Sequence, residues 1–316
     1  MENYMKNLKG VCFILILVLG YTISSAQTID KKETTEKKNE IAKLEKSESS
    51  KEKKAIEKKD LRGIKYRLLQ DNGFLVEEAF TQESDEIQHT LKFRHNFKGN
   101  AWESLAEEEL PLGNEKHQLT IAVPVSYFIS DNNERVRGIG DVEIGYRYQL
   151  LGGDTARVSI APGISTILPT GKYQRELGRG SFGVELSLPI SIALSKRFMT
   201  HSNVGITFLP RARNPQRNRA NITNFELGQS LVWLVHPKFN PLVEVVWERN
   251  KEVIGHNFTK PENELFVSPG FRWGHTFKNG LTIVPGVAFP IGVAASKGDN
   301  GIFFYLSFEH PFKKRE

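Results

Sequence analysis

Charged side chains stand at every second position in several stretches of the chain that are otherwise apolar. In GIGDVEIGYRYQLL, Glu143 and Arg147 alternate with Val142, Ile144 and Tyr146, so the charges share one face of an extended chain. Such a face suits the polar lining of a pore, and it equally suits a salt-bridged lumen that passes nothing. In that lumen the charges are expected to pair across strands. The candidate pore-lining residues are Glu143, Arg147, Arg157, Glu185, Glu226, Glu244 and Arg272.

Nucleophilic chemistry has one candidate, the run HSN at residues 201–203, which contains the residue types of an outer-membrane acyl hydrolase. Adjacent residues of a strand point to opposite faces, so His201 cannot activate Ser202 directly, and we predict no catalytic residues. His89 and His95 share a face but stand about 20 Å apart along a strand, which is too far to ligate one metal. We predict neither a metal site nor a cofactor.

The elements that must hold these side chains are β-strands, since apolar and polar residues alternate with a period of two along much of the chain. From Phe182 to Leu194, for example, alternate apolar residues occupy one face over a length that exceeds most globular strands. We predict twelve strands, at about 86–97, 101–111, 117–129, 139–151, 155–168, 181–194, 197–208, 221–236, 241–250, 263–275, 281–292 and 301–312.

Alternation alone does not distinguish a membrane barrel from a secreted sandwich, because the apolar face contacts lipid in one and the core in the other. Segments of 10 to 14 residues are long enough to cross a bilayer when they tilt. The chain closes with an aromatic strand around Phe304 and Phe308, and short turns alternate with longer connections at 130–138, 169–180, 209–220, 251–262 and 293–300. We therefore predict an all-β fold, a transmembrane antiparallel up-and-down β-barrel of about 12 strands, over residues 85–316.

The start of the chain has the composition of an exported protein. Residues 1–26 combine a basic start, an apolar core and a small-residue end at Ala26, as in a cleaved signal peptide, and the core is too short for a transmembrane anchor. Cys12, the single cysteine, lies in that core, so cleavage leaves a chain without thiols. Residues 27–62 form a Lys/Glu-rich periplasmic tail, typical of a disordered or partly helical spacer, with a short coiled coil or an electrostatic tether as alternatives. Its interleaved acidic residues argue against a nucleic-acid partner.

Six strings share a pattern with known proteins, namely GFLVEEAFTQE (73–83), GIGDVEIGYRYQLL, LPTGKY, GQSLVWL, VSPGFRWG and VPGVAFPIG. They resemble the MetA-pathway of phenol degradation family of outer-membrane proteins. The resemblance covers roughly residues 73 to 312 and leaves the tail outside. It implies a barrel in the outer membrane of a Gram-negative bacterium that passes small, often aromatic or apolar, compounds.

The segment 63–84, just before the first strand, is predicted to be either a plug in the periplasmic mouth or a lead-in that merely caps the barrel. The candidate plug residues are Phe74, Glu77, Glu78 and Phe80. A passive channel for small apolar or aromatic solutes is the function we predict. The alternative is a non-transporting structural or surface-interaction barrel, with the acyl hydrolase as a third. Outer-membrane lipid is the expected surrounding, and four arginines suit either lipopolysaccharide phosphates or a solvated loop, namely Arg211, Arg213, Arg217 and Arg219.

Overall fold

The computed structural model describes residues 73–130, 133–153 and 156–311. The predicted signal peptide at 1–26, the tail at 27–62 and the first part of the lead-in lie outside the described residues. Among the residues that are described, none belongs to a helix long and apolar enough to cross a membrane.

The described chain is almost entirely β-structure. Two short 3₁₀ helices, Tyr173–Arg175 and Ala294–Ser296, lie in connections. The strands are β1 (Glu86–Asn96), β2 (Ala101–Leu112), β3 (Asn114–Ile129), β4 (Arg135–Ile139), β5 (Val142–Tyr148), β6 (Val158–Ile160), β7 (Gly163–Leu168), β8 (Gly183–Ala193), β9 (Phe198–Arg213), β10 (Arg219–Trp233), β11 (Phe239–Gly255), β12 (Phe258–Trp273), β13 (His275–Thr276), β14 (Thr282–Ala288), β15 (Ile291–Gly292) and β16 (Gly301–Pro311).

These elements form one closed antiparallel sheet. Each strand pairs with its neighbours in chain order, and β1 pairs with β16 along its whole length, from Glu86↔Pro311 to Asn96↔Gly301. β4 continues as β5, β6 as β7, β12 as β13 and β14 as β15, so the sixteen segments make a barrel of twelve strands. The predicted transmembrane barrel is confirmed.

Four of the predicted strands are interrupted, which the alternating pattern did not indicate. The predicted strand 155–168 breaks at Pro162, and the strand 281–292 breaks at Pro290. Proline has no N–H to donate to a ladder, so each break falls where the pairing is already weakened. The third break, at Gly140 and Asp141, separates β4 from β5 within one barrel strand. The fourth, at Gly274, lies between β12 and β13.

Two of the predicted long connections are wrong. The ladder of β9 and β10 continues to Arg213↔Arg219, so the predicted loop 209–220 is mostly strand. The ladder of β11 and β12 continues to Gly255↔Phe258, so the predicted loop 251–262 shrinks to a tight turn. In both hairpins, polar residues that suggested a loop extend the strands instead. We call the end of the barrel that carries the connections 169–182 and 293–300 the loop end, and the opposite end the turn end.

The outer face of the barrel is apolar. Leu186 and Leu188 on β8, Val204 on β9 and Phe304 on β16 are exposed, whereas their chain neighbours turn toward the lumen. Near the turn end, Phe198 and Trp233 stack with ring centroids 6.2 Å apart, as in the aromatic girdle of a membrane barrel. An exposed apolar band with aromatic edges is what lipid contact requires.

Candidate functional site

Residues 73–83, which we call the plug segment, lie inside the barrel. The side chains of Phe74, Val76, Ala79 and Phe80 are between 0% and 6% exposed, which is the burial expected of a core. The segment contains bends but no helix. The described part of the lead-in, residues 73–83, therefore enters the lumen instead of covering its rim.

Glu244, on the inner face of β11, holds the start of the plug segment. Its carboxylate accepts hydrogen bonds from the backbone N–H groups of Phe74 at 3.0 Å, Leu75 at 3.0 Å and Val76 at 3.4 Å. Glu244 is fully buried. An ionised carboxylate accepts several N–H bonds at once, so one side chain satisfies three backbone donors that have no strand partner.

Polar side chains from other strands bind the rest of the segment. The backbone N–H of Ala79 donates to Ser191 Oγ at 2.8 Å, that of Thr81 to Gln149 Oε1 at 3.1 Å, and that of Gln82 to Gln118 Oε1 at 2.7 Å. The Gln149 side-chain amide also donates to the Ala79 carbonyl at 2.9 Å. The barrel wall thus pairs with the segment as a neighbouring strand would, but through side chains.

Glycines in the wall make room for the apolar side chains of the segment. A Cβ on Gly286 would lie 2.5 Å from the Phe74 ring, and one on Gly270 would lie 2.9 Å from it. A Cβ on Gly228 would lie 2.9 Å from a methyl of Val76. Phe74 also packs on Phe303 and Tyr305, at ring centroid distances of 5.8 and 5.4 Å. The wall around the plug segment, which we call its seat, therefore matches the segment in shape as well as in hydrogen bonding.

Two ion pairs lie beside the plug segment. Arg147 on β5 binds Glu77 with an N–O distance of 2.7 Å, and Lys92 on β1 binds Glu107 on β2 at 2.6 Å. Glu78 accepts a hydrogen bond from the backbone N–H of Gly73 at 3.0 Å, which closes a tight bend. Three of the four candidate plug residues, Phe74, Glu77 and Glu78, thus have defined contacts.

Phe80, the fourth candidate plug residue, packs edge-on against His201, with ring centroids 6.1 Å apart. His201 Nδ1 lies 2.7 Å from Ser191 Oγ, and both side chains are buried beneath the segment. Ser202 instead lies on the outer face, where it donates to Gln229. The Ser191–His201 pair therefore supports the segment through Ala79 and Phe80.

We predicted that the inward charges pair across strands. This prediction is wrong for most of them. Glu226 faces Glu248, and Glu248 faces Glu264, on three adjacent strands. Together with Glu143 and Glu185, these partly buried carboxylates form no ion pair with any described residue. Like charges directly opposite repel each other, so these carboxyl groups need water or bound protons to be tolerated.

The last two candidate pore-lining residues differ in placement. Arg272 is fully buried on the inner face of β12, opposite Asn240 on β11. Arg157 is exposed in the connection that precedes β6 at the turn end, so it does not join Glu143 and Arg147 inside the lumen. The alternating pattern predicted that Arg157 points inward, but strand β6 begins only at the next residue, Val158. Within the described ranges, no group of three or more His, Cys, Asp or Glu side chains is arranged to hold a metal ion.

Open space in the lumen is divided between the two ends. A cavity of about 750 Å³ lies at the turn end and is lined by Glu78, Phe80 and Thr81 of the plug segment and by the surrounding wall. A second cavity, of about 390 Å³, lies at the loop end between β1, β2 and β12. A space of only about 60 Å³ remains beside the segment, between Phe74 and Arg147.

The four arginines do not form one exposed cluster. Arg211 on β9 and Arg217 in the turn after it are exposed. Arg213 lies with its guanidinium 5.3 Å from the centre of the Tyr173 ring, and Arg219 is partly buried. Two arginines, not four, are therefore fully presented at the loop end.

Comparison with protein-family models assigns the chain to a family. The family model described as "Putative MetA-pathway of phenol degradation" matches residues 71–301, which include the plug segment and most of the barrel. The chain belongs to this family. The resemblance predicted from the sequence is confirmed, and its strings place the MetA-pathway family pattern on the plug segment, on β5 and on the wall around Phe74. No curated protein matches the chain.

Solved structures resemble this MetA-pathway family chain in fold. The COG4313 outer membrane channel from Pseudomonas putida F1 superposes with a TM-score of 0.59 at 10% identity, covering 74% of this chain and 98% of that chain. The NanC porin matches with a TM-score of 0.46 at 8% identity, over 71% of this chain and 99% of the porin. At 10% identity the likeness to the Pseudomonas putida channel shows the barrel fold alone.

Most of the residues that seat the plug segment were missed from the sequence. Ser191, Gln149 and Gln118 are uncharged polar residues on inward faces, and such residues are common in any hydrated lumen. Gly270 and Gly286 stand at inward positions in VSPGFRWG and VPGVAFPIG, where a missing side chain signals a close approach by another part of the chain. That signal was present in the family strings.

Proposed function

We propose that the protein is a passive outer-membrane channel for small solutes with an apolar or aromatic body, and that the plug segment obstructs it. The observation that carries this proposal is the seat itself. Hydrogen bonds from the segment's backbone N–H groups to side chains of the wall hold it in place, together with packing and the Arg147–Glu77 ion pair, and it belongs to no strand ladder. A segment held in this way is able to leave while the barrel stays closed.

We infer that the flux is passive, because the sequence offers no site for an energy source. The sequence has no nucleotide-binding glycine loop, and the outer membrane offers no energy source. Solutes therefore move down their own gradient. The Pseudomonas putida protein of similar fold is an outer membrane channel, which supports the same class here.

The solute class is inferred from the family and from the lining of the obstructed region. Phe74, Phe80, Phe303 and Tyr305 present aromatic surfaces where the plug segment crosses the lumen. Moving the segment uncovers those of the wall, Phe303 and Tyr305, beside polar groups such as Ser191 and Gln149. A solute with a flat apolar body and one polar group suits such a wall.

Uptake into vesicles tests the proposal. Vesicles that contain the full chain are compared with vesicles that contain a variant in which residues 73–83 are replaced by a Gly/Ser linker of equal length. We expect the full chain to raise phenol flux above empty vesicles, the linker variant to raise it further, and glucose to pass more slowly than phenol. If neither protein raises the flux of any solute, the channel proposal fails.

The filled lumen also favours a second candidate function, a structural barrel that transports nothing and interacts with molecules at the cell surface. Arg211 and Arg217 are exposed at the loop end, which faces outward in outer-membrane barrels, and guanidinium groups bind phosphates well. On this proposal, Arg211→Gln with Arg217→Gln weakens binding to lipopolysaccharide, while Arg249→Gln, at another exposed site, does not. Equal binding by all variants removes this candidate.

We also propose that residues 1–26 direct export and are then removed, which leaves Gln27 as the first residue of the mature protein. Cell fractionation followed by mass spectrometry of the N-terminus tests this. An intact residue 1 in the membrane fraction would contradict it.

A further inference from the structure

The cavity at the loop end has a distinct chemical lining. Its volume is about 390 Å³, which is within the range of small-molecule sites. Its walls include Arg94 of β1, Glu103 of β2, Glu264 and Phe266 of β12, Lys98 of the β1–β2 connection and Asp299. It lies apart from the cavity that the plug segment lines.

Arg94 is the cation that the cavity leaves available. Its guanidinium carbon lies 4.7 Å from the centre of the Phe266 ring, and Phe266 is buried. The structure gives Arg94 no ion pair with any described residue. Stacking on the ring fixes the plane of the guanidinium, while its N–H donors stay free along the edges.

The three carboxylates that line the cavity differ in their ion pairing. Asp299 binds Lys98 with an N–O distance of 2.8 Å, so these two charges offset each other. Glu103 and Glu264 form no ion pair with a described residue, although both line the same cavity as Arg94. The cavity therefore presents one available cation, two available carboxylates and one aromatic wall.

We propose that this cavity binds a small zwitterion that carries an ammonium, a carboxylate and an aromatic or apolar body, in the manner of an aromatic α-amino acid. Arg94 binds the carboxylate, Glu103 and Glu264 bind the ammonium, and the apolar body lies near Phe266. A simple aromatic anion is disfavoured because Glu103, opposite Arg94 in the β1–β2 ladder, and Glu264 line the same cavity. A simple aromatic amine leaves Arg94 without a partner. Binding here does not depend on flux, so this proposal stands or fails separately from the channel.

Isothermal titration of the full chain in detergent micelles tests the proposal with three probes: L-phenylalanine, benzoate and phenethylamine. We expect L-phenylalanine to bind about tenfold more tightly than either of the others. Arg94→Gln and Glu264→Gln are each expected to weaken L-phenylalanine binding by about tenfold. Arg249→Gln, at an exposed position outside the cavity, serves as the matched control and is expected to bind normally.

Each outcome decides the proposal, provided that the variants keep the heat-modifiable gel mobility of a folded barrel. Phenethylamine binding as tightly as L-phenylalanine would remove the role of Arg94 and overturn the proposal, and equal binding of benzoate would remove the role of the carboxylates. Absence of binding by all three probes also overturns it. If Arg94→Gln does not fold, Glu103→Gln takes its place, with the same expected loss.

Discussion

The carboxylate of Glu244 accepts the backbone N–H of Phe74 at 3.0 Å, across 170 positions of sequence. This contact joins the start of the plug segment to the inner wall of β11. Two further N–H groups, those of Leu75 and Val76, share the same carboxylate. A single wall residue thus holds the start of the plug segment.

Replacing Glu244 should therefore loosen the plug segment without opening the barrel. Glu244→Ala leaves three backbone donors without a partner, and each unsatisfied buried donor costs about 1–3 kcal/mol. Hydrogen exchange at Phe74, Leu75 and Val76 should become much faster, while exchange in β8 and β9 stays slow. Glu248→Ala, four residues along the same strand, is the control and should leave the segment protected. Unchanged protection in Glu244→Ala would show that the carboxylate does not hold the segment.

Gly286 should be essential to the seat of Phe74 and to little else. A Cβ at this position would lie 2.5 Å from the ring, so Gly286→Ala should weaken the seat by about 1–3 kcal/mol. Segment protection in hydrogen exchange measures this effect. In a Phe74→Ala background the same substitution should have little further effect, because the clash is gone. Gly205→Ala, where the added Cβ would meet only Glu226 at 3.3 Å, is the control. An equal effect of Gly286→Ala in both backgrounds would contradict the proposed contact.

The outer face should reject charge. Leu188 is exposed on the lipid side of β8, and its neighbour Ser187 points inward. Leu188→Arg should reduce the free energy of unfolding by roughly 2–4 kcal/mol if the site lies near mid-membrane. Ser187→Arg should cost less, because its side chain enters a hydrated lumen. Urea titration in lipid vesicles measures both variants, and the opposite order would mean that the faces are reversed.

Carboxylates in the lumen should make the open channel select cations. Glu226 lies opposite Glu248, and Glu248 lies opposite Glu264, with no ion pair from these three to any residue that the structure describes. Rings of acidic residues favour cations in pores. In the linker variant, the reversal potential across a KCl gradient should indicate cation selectivity. Replacing all three by Gln should reduce that selectivity, and Glu134→Gln, exposed in a loop, should not. Anion selectivity before or after the replacement would contradict the expectation.

The fold was predictable because strand alternation is a local property of the chain. Phe182 to Leu194 alternates strictly, and β8 occupies Gly183–Ala193 within that range. The interruption at Pro162 was missed because the alternation continues through it. The extended hairpin at Gly255 and Phe258 was missed because polar residues occur both in loops and in strands that extend beyond the membrane.

The candidate site was only partly predictable, because its contacts are long-range. Glu77 and Arg147 were both singled out from the sequence, but nothing in the local pattern joins residues 70 positions apart. The expected pairing of Glu226 with a cation also depended on side-chain reach across the lumen, which the sequence does not give. The glycine positions carried the clearest available signal of a buried segment.

A disulfide between the plug segment and the wall tests the central claim most directly. The Cβ atoms of Val76→Cys and Gly228→Cys would lie about 3.5 Å apart, which suits a disulfide, and Cys12→Ser removes the single native thiol. Phenol flux into vesicles is measured with oxidant and with reductant, and mass spectrometry checks that the cross-link is complete. We expect oxidation to reduce flux to the level of empty vesicles, reduction to restore it, and each single-cysteine variant to be indifferent to both. Equal flux in the cross-linked and reduced double variant would contradict the claim that solutes pass only when the plug segment moves.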